Sequence, residues 1–206
     1  KTQELVGGFF VQVEQIDSSK FPNVTLEIKV ENRHRQPVVG LQEENFYLTE
    51  NKRPVNKVRF LGAASNNTFA DITLIIDRSD TSNLYKNEIE TAVKEIAASM
   101  NGSGTLRVIS AGAMPVTEYI GKPIGVENFT LDTLKNPVTK NVAIDLALRL
   151  ATNDLITAEK KRSIILVSGG DTKDYSYSKY NLAELTSYMN NNSVGFSFIQ
   201  VIQNAV

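Results

Sequence analysis

The residues best equipped for chemistry lie in the stretch "DITLIIDRSDTS", Asp71 to Ser82. An apolar run there ends in Asp77, Ser79, Asp80, Thr81 and Ser82, five carboxylates and hydroxyls within six residues. Oxygen donors at that density suit a hard divalent cation, which takes carboxylates, hydroxyls and water. They also suit a phosphoryl-transfer centre, in which a carboxylate attacks phosphorus. A plain turn tolerates them as well, because Ser, Thr and Asp bond to loop amides and cap helices.

Composition removes several other chemistries. The 206-residue chain has no cysteine, which excludes disulfides, thiolate zinc sites and cysteine nucleophiles together. Its single histidine, His34, sits in the polar turn "ENRHRQ" and reads as a solvated side chain; a Ser-His-Asp triad would have to use it. With 22 basic against 23 acidic residues the net charge is -1, so no field of one sign draws nucleic acid or an anionic membrane. The short basic patches, Arg33 to Arg35 and Lys160 to Arg162, read as solvated turns. At 41% hydrophobic and 22% charged residues, without an apolar run near the ~20 residues of a membrane span, the chain reads as globular with no transmembrane segment. It begins at Lys1 without a leader, which fits a mature or trimmed product, and composition leaves the compartment open.

The elements that must position the acidic stretch emerge from periodicity. Residues 1–63 read as a β-rich, sandwich-like module. In "NVTLEIKVE", Val24, Leu26, Ile28 and Val30 alternate with polar residues, and "GGFFVQVEQI" repeats the pattern less cleanly. The loop "ENRHRQPVVGL" then leads to "NFYLTE", a turn at "NKRP" and a further strand in "VNKVRFL". The small, polar "GAASNNTFAD" reads as a linker, and from residue 69 to 206 strands alternate with helices. "DITLII" is a continuous apolar strand. Ser82 is placed to cap a helix over about 83–100, in which Tyr85, Ile89, Val93, Ile96 and Met100 recur at steps of three and four. "TLRVIS", "RSIILVS" and "VGFSFIQVI" are further strands; "NVAIDLALRLA", after a polar loop, and "SKYNLAELTSYMN" are helices. Continuous apolar strands separated by helices predict a doubly wound α/β domain with a mainly parallel sheet covered on both faces.

Ligands of such sheets bind beyond the carboxyl ends of the strands, where Asp77 to Ser82 falls. The loop "GGDTKD" after "RSIILVS" and the loop carrying Thr139 are expected at the same edge. Asp77, Ser79, Thr81, Thr139 and Asp171 should therefore converge.

A hydrophobic strand running into Asp-x-Ser-x-Ser/Thr, a Thr before a buried helix and a strand ending in a Gly-containing loop resembles the von Willebrand factor type A domain, over about residues 71–202. The resemblance implies a metal-ion-dependent adhesion site that holds Mg²⁺ or Mn²⁺ and accepts a partner carboxylate. Asp77, Ser79 and Thr81 match the family's Asp-x-Ser-x-Ser, and Thr139, in "NPVTKNVAIDLAL", matches its threonine. The family then ends its fourth strand with Asp followed by Gly. Here Gly169 stands at that Asp, and the nearest carboxylate, Asp171, lies two residues later. The resemblance thus implies a degenerate site, with metal weakly held or absent and no organic cofactor. The leader, with its "PV.GL...NF.L.EN" pattern, is similar to bacterial extracytoplasmic proteins carrying a related A domain, which implies the periplasm or cell surface. The implied activity is non-enzymatic, recognition of another protein. The resemblance also implies a further helix and strand beyond Val206.

Rival readings use the same residues. "IIDRSDT" approaches the haloacid-dehalogenase phosphatase pattern Asp-x-Asp-x-Thr, with Asp77 as nucleophile. The second carboxylate of that pattern, the general acid and base, is Ser79 here, and Asp171 and Asp174 only partly imitate its metal loop. No G-x-G-x-x-G follows the first strand and no G-x-x-x-x-G-K-[ST] occurs, which removes the nucleotide-binding fingerprints. Five Asn-x-Ser/Thr sequons, at Asn23, Asn66, Asn101, Asn128 and Asn191, carry little weight in an Asn-rich chain. Tyr175, Tyr177 and Tyr180, in "DYSYSKY", are candidates for a contact patch or an ordinary exposed loop.

Overall fold

The computed structural model describes residues 3–6, 8–62, 70–158, 160–170 and 174–202. The chain divides into two units, Lys1–Thr68 and Phe69–Val206.

The first unit is antiparallel. Strands β1 (Gln3–Val6), β2 (Phe9–Lys20) and β3 (Asn23–Glu31) form a sheet in that order. The alternation of β3 is matched across the sheet, with Val30 opposite Val11, Ile28 opposite Val13 and Leu26 opposite Ile16, so one face is apolar. None of residues 8–62 is buried. After β3, the Asn32 carboxamide oxygen accepts from the amides of His34 and Gln36, and the turn leaves His34 exposed. Arg35 lies over the Phe10 ring at 3.5 Å, so it is not simply solvated. Of the strands expected in "NFYLTE" and "VNKVRFL", only β4 (Thr49–Glu50) forms, paired with β5 (Arg53–Pro54) inside the expected turn "NKRP", and no strand is formed within "VNKVRFL". Asn51 and Lys52 at positive φ make the tight turn, and Pro54 lacks an amide to extend the ladder.

The second unit is a five-stranded sheet in the order β10-β9-β6-β7-β8, parallel except for β7 against β8. Its elements run β6 (Ala70–Asp77), α1 (Lys86–Ser99), β7 (Leu106–Ala111), β8 (Pro115–Gly121), α2 (Ile144–Leu155), β9 (Lys161–Ser168), α3 (Leu182–Asn191) and β10 (Val194–Gln200). Strand β6 is central and buries both faces, which is why its sequence is a continuous apolar run. Leu74 and Ile76 belong to one core with Ile89, Val93 and Ala97 of α1. Ile75 belongs to the other, with Ala147, Leu148 and Ala151 of α2 and Leu185 and Met189 of α3. Each fully buried Ile or Leu contributes roughly 1.5–3 kcal/mol.

Three expectations change here. The polar loop before α2 contains an edge strand, β8, antiparallel to β7. Its opening Pro115 is tolerated at the first residue of an edge strand, and its half-buried residues lack the apolar run of the central strands. Arg162 is not in a solvated turn: it is 4% exposed within β9. Its guanidinium donates to the carbonyls of Ile156 and Ala158, just past α2, and of Asn192, at the end of α3. It thereby satisfies carbonyls that helix ends leave unpaired. Burial pushes its pKa down, with Asp71 opposing. Finally, Tyr177 and Tyr180 pack against the α2/α3 core, so neither is a freely exposed contact residue.

Candidate functional site

The chain leaves β6 toward β7 and β8 on one side and returns through β9 and β10 on the other, so the strand order reverses at β6. Asp77 ends β6 at that reversal, the place where open α/β sheets form their binding crevice.

Asp77 is 2% exposed, and both of its oxygens are engaged. Oδ1 accepts from the Ser79 amide at 2.8 Å, and Oδ2 accepts from the Ser168 hydroxyl at 2.6 Å. Ser168 Oγ is also 3.1 Å from the Gly170 carbonyl. Its single proton goes to the carboxylate, the shorter and charge-assisted contact, while Oγ accepts from the Gly170 amide at 3.2 Å.

The hydroxyls beyond Asp77 pin the loop to β9. Ser79 Oγ accepts from the Ser82 amide at 3.1 Å and lies 3.2 Å from Thr81 Oγ1. Ser82 is fully buried, and its Oγ accepts from the Gly169 amide at 2.9 Å. Ser82 therefore does not cap the helix as expected. A 3₁₀ turn at Ser82–Tyr85 intervenes, α1 begins at Lys86, and no side chain caps it. Asp80 is exposed, and its carboxylate accepts from the adjacent Thr81 amide.

Thr139 arrives by a parallel bridge to Ser79: its amide donates to the Arg78 carbonyl at 2.9 Å, and its carbonyl accepts from the Asp80 amide at 3.0 Å. Its Oγ1 lies 3.4 Å from the Asn141 amide. Two residues that the motif does not contain hold this loop in place. Arg78, 6% exposed, donates from Nε to the Asn136 carbonyl at 3.1 Å. Asn136, 8% exposed, donates to the carbonyls of Ser110 and Met114. Burial pushes the Arg78 pKa down, and the carboxylates of Glu118, Asp132 and Asp77 oppose it. The only sequence signal for this bracket is Gly112, whose absent Cβ would sit 2.6 Å from Asn136 Oδ1.

Asp77, Ser79, Thr81 and Thr139 are thus brought together, as their spacing implies; Asp171 lies outside the described residues. Among the described residues the donor set fits a divalent cation poorly. A hard cation needs negative oxygen ligands, and the described residues of the cluster offer one buried carboxylate with both oxygens already accepting. No group of three His, Cys, Asp or Glu side chains suited to a metal occurs among the described residues. At Gly169, a Cβ would lie 2.3 Å from Cδ2 of Tyr85, so the direction a fifth ligand would take is filled by that ring. The phosphatase reading meets the same geometry. A buried Asp77 with both oxygens bonded is poorly presented to phosphorus, and Ser79 spends its hydroxyl on the loop.

No protein-family model and no curated protein matches the chain. Among solved structures, the proximal thread matrix protein 1 of the mussel byssus aligns at a TM-score of 0.53 and 16% identity, over 66% of this chain and 36% of that one. A second structure of it, with a zinc-occupied MIDAS motif, aligns with the same TM-score, identity and coverage. An aerotolerance-related membrane protein from Bacteroides fragilis aligns at a TM-score of 0.47 and 11% identity, over 66% of this chain and 74% of that one. This chain spans only about a third of the mussel protein's length. At these identities the likeness is one of fold, and the α/β unit has the von Willebrand factor A-like fold.

Proposed function

We propose that the chain is a non-enzymatic interaction or adhesion module of the cell envelope that binds another protein through the loops at the carboxyl edge of its parallel sheet. Asp77, Ser79, Thr81 and Thr139, with Asp171, mark the position of a metal-ion-dependent adhesion site in degenerate form, where Mg²⁺ or Mn²⁺ is held weakly or not at all. The fold and the byssal matrix neighbour support a recognition role. The resemblance of the leader to bacterial extracytoplasmic proteins supports the periplasm or cell surface. No described helix is long and apolar enough to cross a membrane.

One observation carries the reading. Around the buried Asp77, three loops expose large apolar side chains: Leu84 (81% exposed), Met114 (62%) and Val138 (40%). Exposed apolar groups around a desolvated centre are the material of protein-interface anchors. Solvated carboxylates and hydroxyls alone would not be. The test is differential capture: the immobilised protein is compared with a Leu84→Asp, Met114→Asp, Val138→Asp variant and with a control altered at Ile120, an exposed residue of β8. A protein of the envelope fraction retained by wild type and the Ile120→Asp control, but lost by the triple variant, supports the reading. Equal capture by all three would sink it.

A further inference from the structure

We infer that Tyr85 and Ser168 have jointly replaced the fifth ligand and the cation of this site, so that a carboxylate at residue 169 cannot rebuild it unless Tyr85 is also removed. A carboxylate buried to the extent of Asp77 needs compensation, because an unpaired buried charge is heavily penalised. Two hydrogen bonds from the chain itself supply compensation, the Ser79 amide on Oδ1 and the Ser168 hydroxyl on Oδ2.

Gly169 shows how the arrangement is locked. It is not among the positive-φ residues, so its backbone does not demand glycine. The constraint is steric, since a Cβ would meet Tyr85 Cδ2 at 2.3 Å, Cγ at 2.9 Å and Cβ at 3.0 Å. Contacts with the Cβ and Cγ of a ring side chain are not relieved by moving a flexible tip. The turn that carries Tyr85 is held against β9 by the bond from the Gly169 amide to Ser82 Oγ and against the Asp77 loop by the bond from the Ser82 amide to Ser79 Oγ. Gly169 and Tyr85 are therefore one unit, and a side chain at 169 and the ring at 85 exclude each other.

The inference rests on the proposed adhesion-site function for the identity of the position, but its test involves no partner, so the two fail separately. The metal-stripped full chain is titrated calorimetrically with Mn²⁺ as wild type, Gly169→Asp, Tyr85→Ala, the double variant, and the double variant with Asp77→Asn; each is also melted. Asp77-dependent heat is expected only from the double variant, at or below about 1 mM, the weak end of extracellular cation sites. Gly169→Asp alone should lower Tm by about 5 °C or more through overpacking, and Tyr85→Ala should recover most of that loss. A Gly169→Ala and Tyr85→Ala melting cycle provides the same coupling without an added charge, should the Asp variants not fold. Three results each overturn the inference: Asp77-dependent Mn²⁺ binding by wild type or Gly169→Asp at or below about 1 mM, no heat from a folded double variant, or additive effects of residues 169 and 85 on Tm.

Discussion

Asp145 offers the sharpest test of how the site edge is held. It lies in the first turn of α2 and is fully buried, and its Oδ2 accepts from the amides of Lys179 at 2.7 Å and Tyr180 at 3.0 Å. Those amides belong to the segment leading from β9 into α3, so one carboxylate ties α2 to the loop beyond the Gly169-Gly170 turn. A hydrogen bond to a charged acceptor contributes about 1.5–3 kcal/mol. Two of them place the tie at about 3–6 kcal/mol, less whatever the freed amides recover from water once the loop opens. Asp145→Ala should therefore cost about 3 kcal/mol, a large share of a typical total of about 5–15 kcal/mol. Asp145→Asn can keep its one acceptor oxygen on both amides, but it loses the charge and turns its NH2 toward the Leu146 amide, from which Oδ1 accepts at 2.7 Å, and it should cost about 2 kcal/mol. Equilibrium urea unfolding measures the loss, and amide hydrogen exchange locates it, with Lys179 and Tyr180 losing protection before the β6 amides do. Arg149, one turn further along α2, is the control. Its guanidinium lies over the rings of Tyr188 at 3.6 Å and Tyr180 at 5.3 Å. Arg149→Met should cost only about 1 kcal/mol, the scale of an exposed cation–π contact. A loss under about 1 kcal/mol for Asp145→Ala, with unchanged exchange at both amides, would refute the anchoring argument.

Arg162→Met should destabilise by about 2–4 kcal/mol, measured by urea unfolding, because it strips charged donors from buried carbonyls beyond α2 and at the end of α3. Gly104→Ala and Gly102→Ala form a matched pair in the turn after α1, since both glycines have positive φ. A Cβ at Gly104 would meet the Ala70 carbonyl oxygen at 2.2 Å, whereas Gly102 has nothing within 4 Å. The first should cost more than about 3 kcal/mol and the second about 1 kcal/mol, so similar values in thermal melts would contradict the packing account. Burial raises the pKa of Asp154, and the Arg107 charge partly offsets it. A carboxyl raised on folding favours the native state while protonated in it and loses that contribution as pH rises from the unfolded value of 3.8 through the raised native value. Asp154→Asn should therefore raise Tm by about 1–2 °C at pH 7, and the gain should vanish below the unfolded value; a gain that persists there would refute the sign.

Legibility in the sequence tracks the pattern of burial. Strands β6, β7 and β9 and helices α1, α2 and α3 announce themselves because burial on both sheet faces, or along one helix stripe, writes a period into the chain, whereas β10 carries an apolar run although most of its residues are exposed at the sheet edge. Strand β8 does not, because "PVTEYIG" is an edge strand with no fully buried residue and a proline at its start. In Arg162, charge suggested solvent, but the open carbonyls around two helix ends outweighed it, and such carbonyls are visible only once the helices are placed.

The candidate site divides along the same line. Asp77, Ser79 and Thr81 are close in sequence, and Thr139 is placed by fold order, so their convergence was readable. Ser168, Asn136 and Tyr85 were not, because each acts across a long chain separation with no local spacing to mark it. Tyr85 even fits the helical period of α1, although it precedes that helix and closes on Gly169. The one local trace is the glycine. A Gly ending a buried strand without a positive φ is best explained by a neighbour that needs the space of its side chain. On that ground Gly169 and Tyr85 are a single feature of the fold, and reading Gly169 only as a missing ligand leaves the ring beside it unexplained.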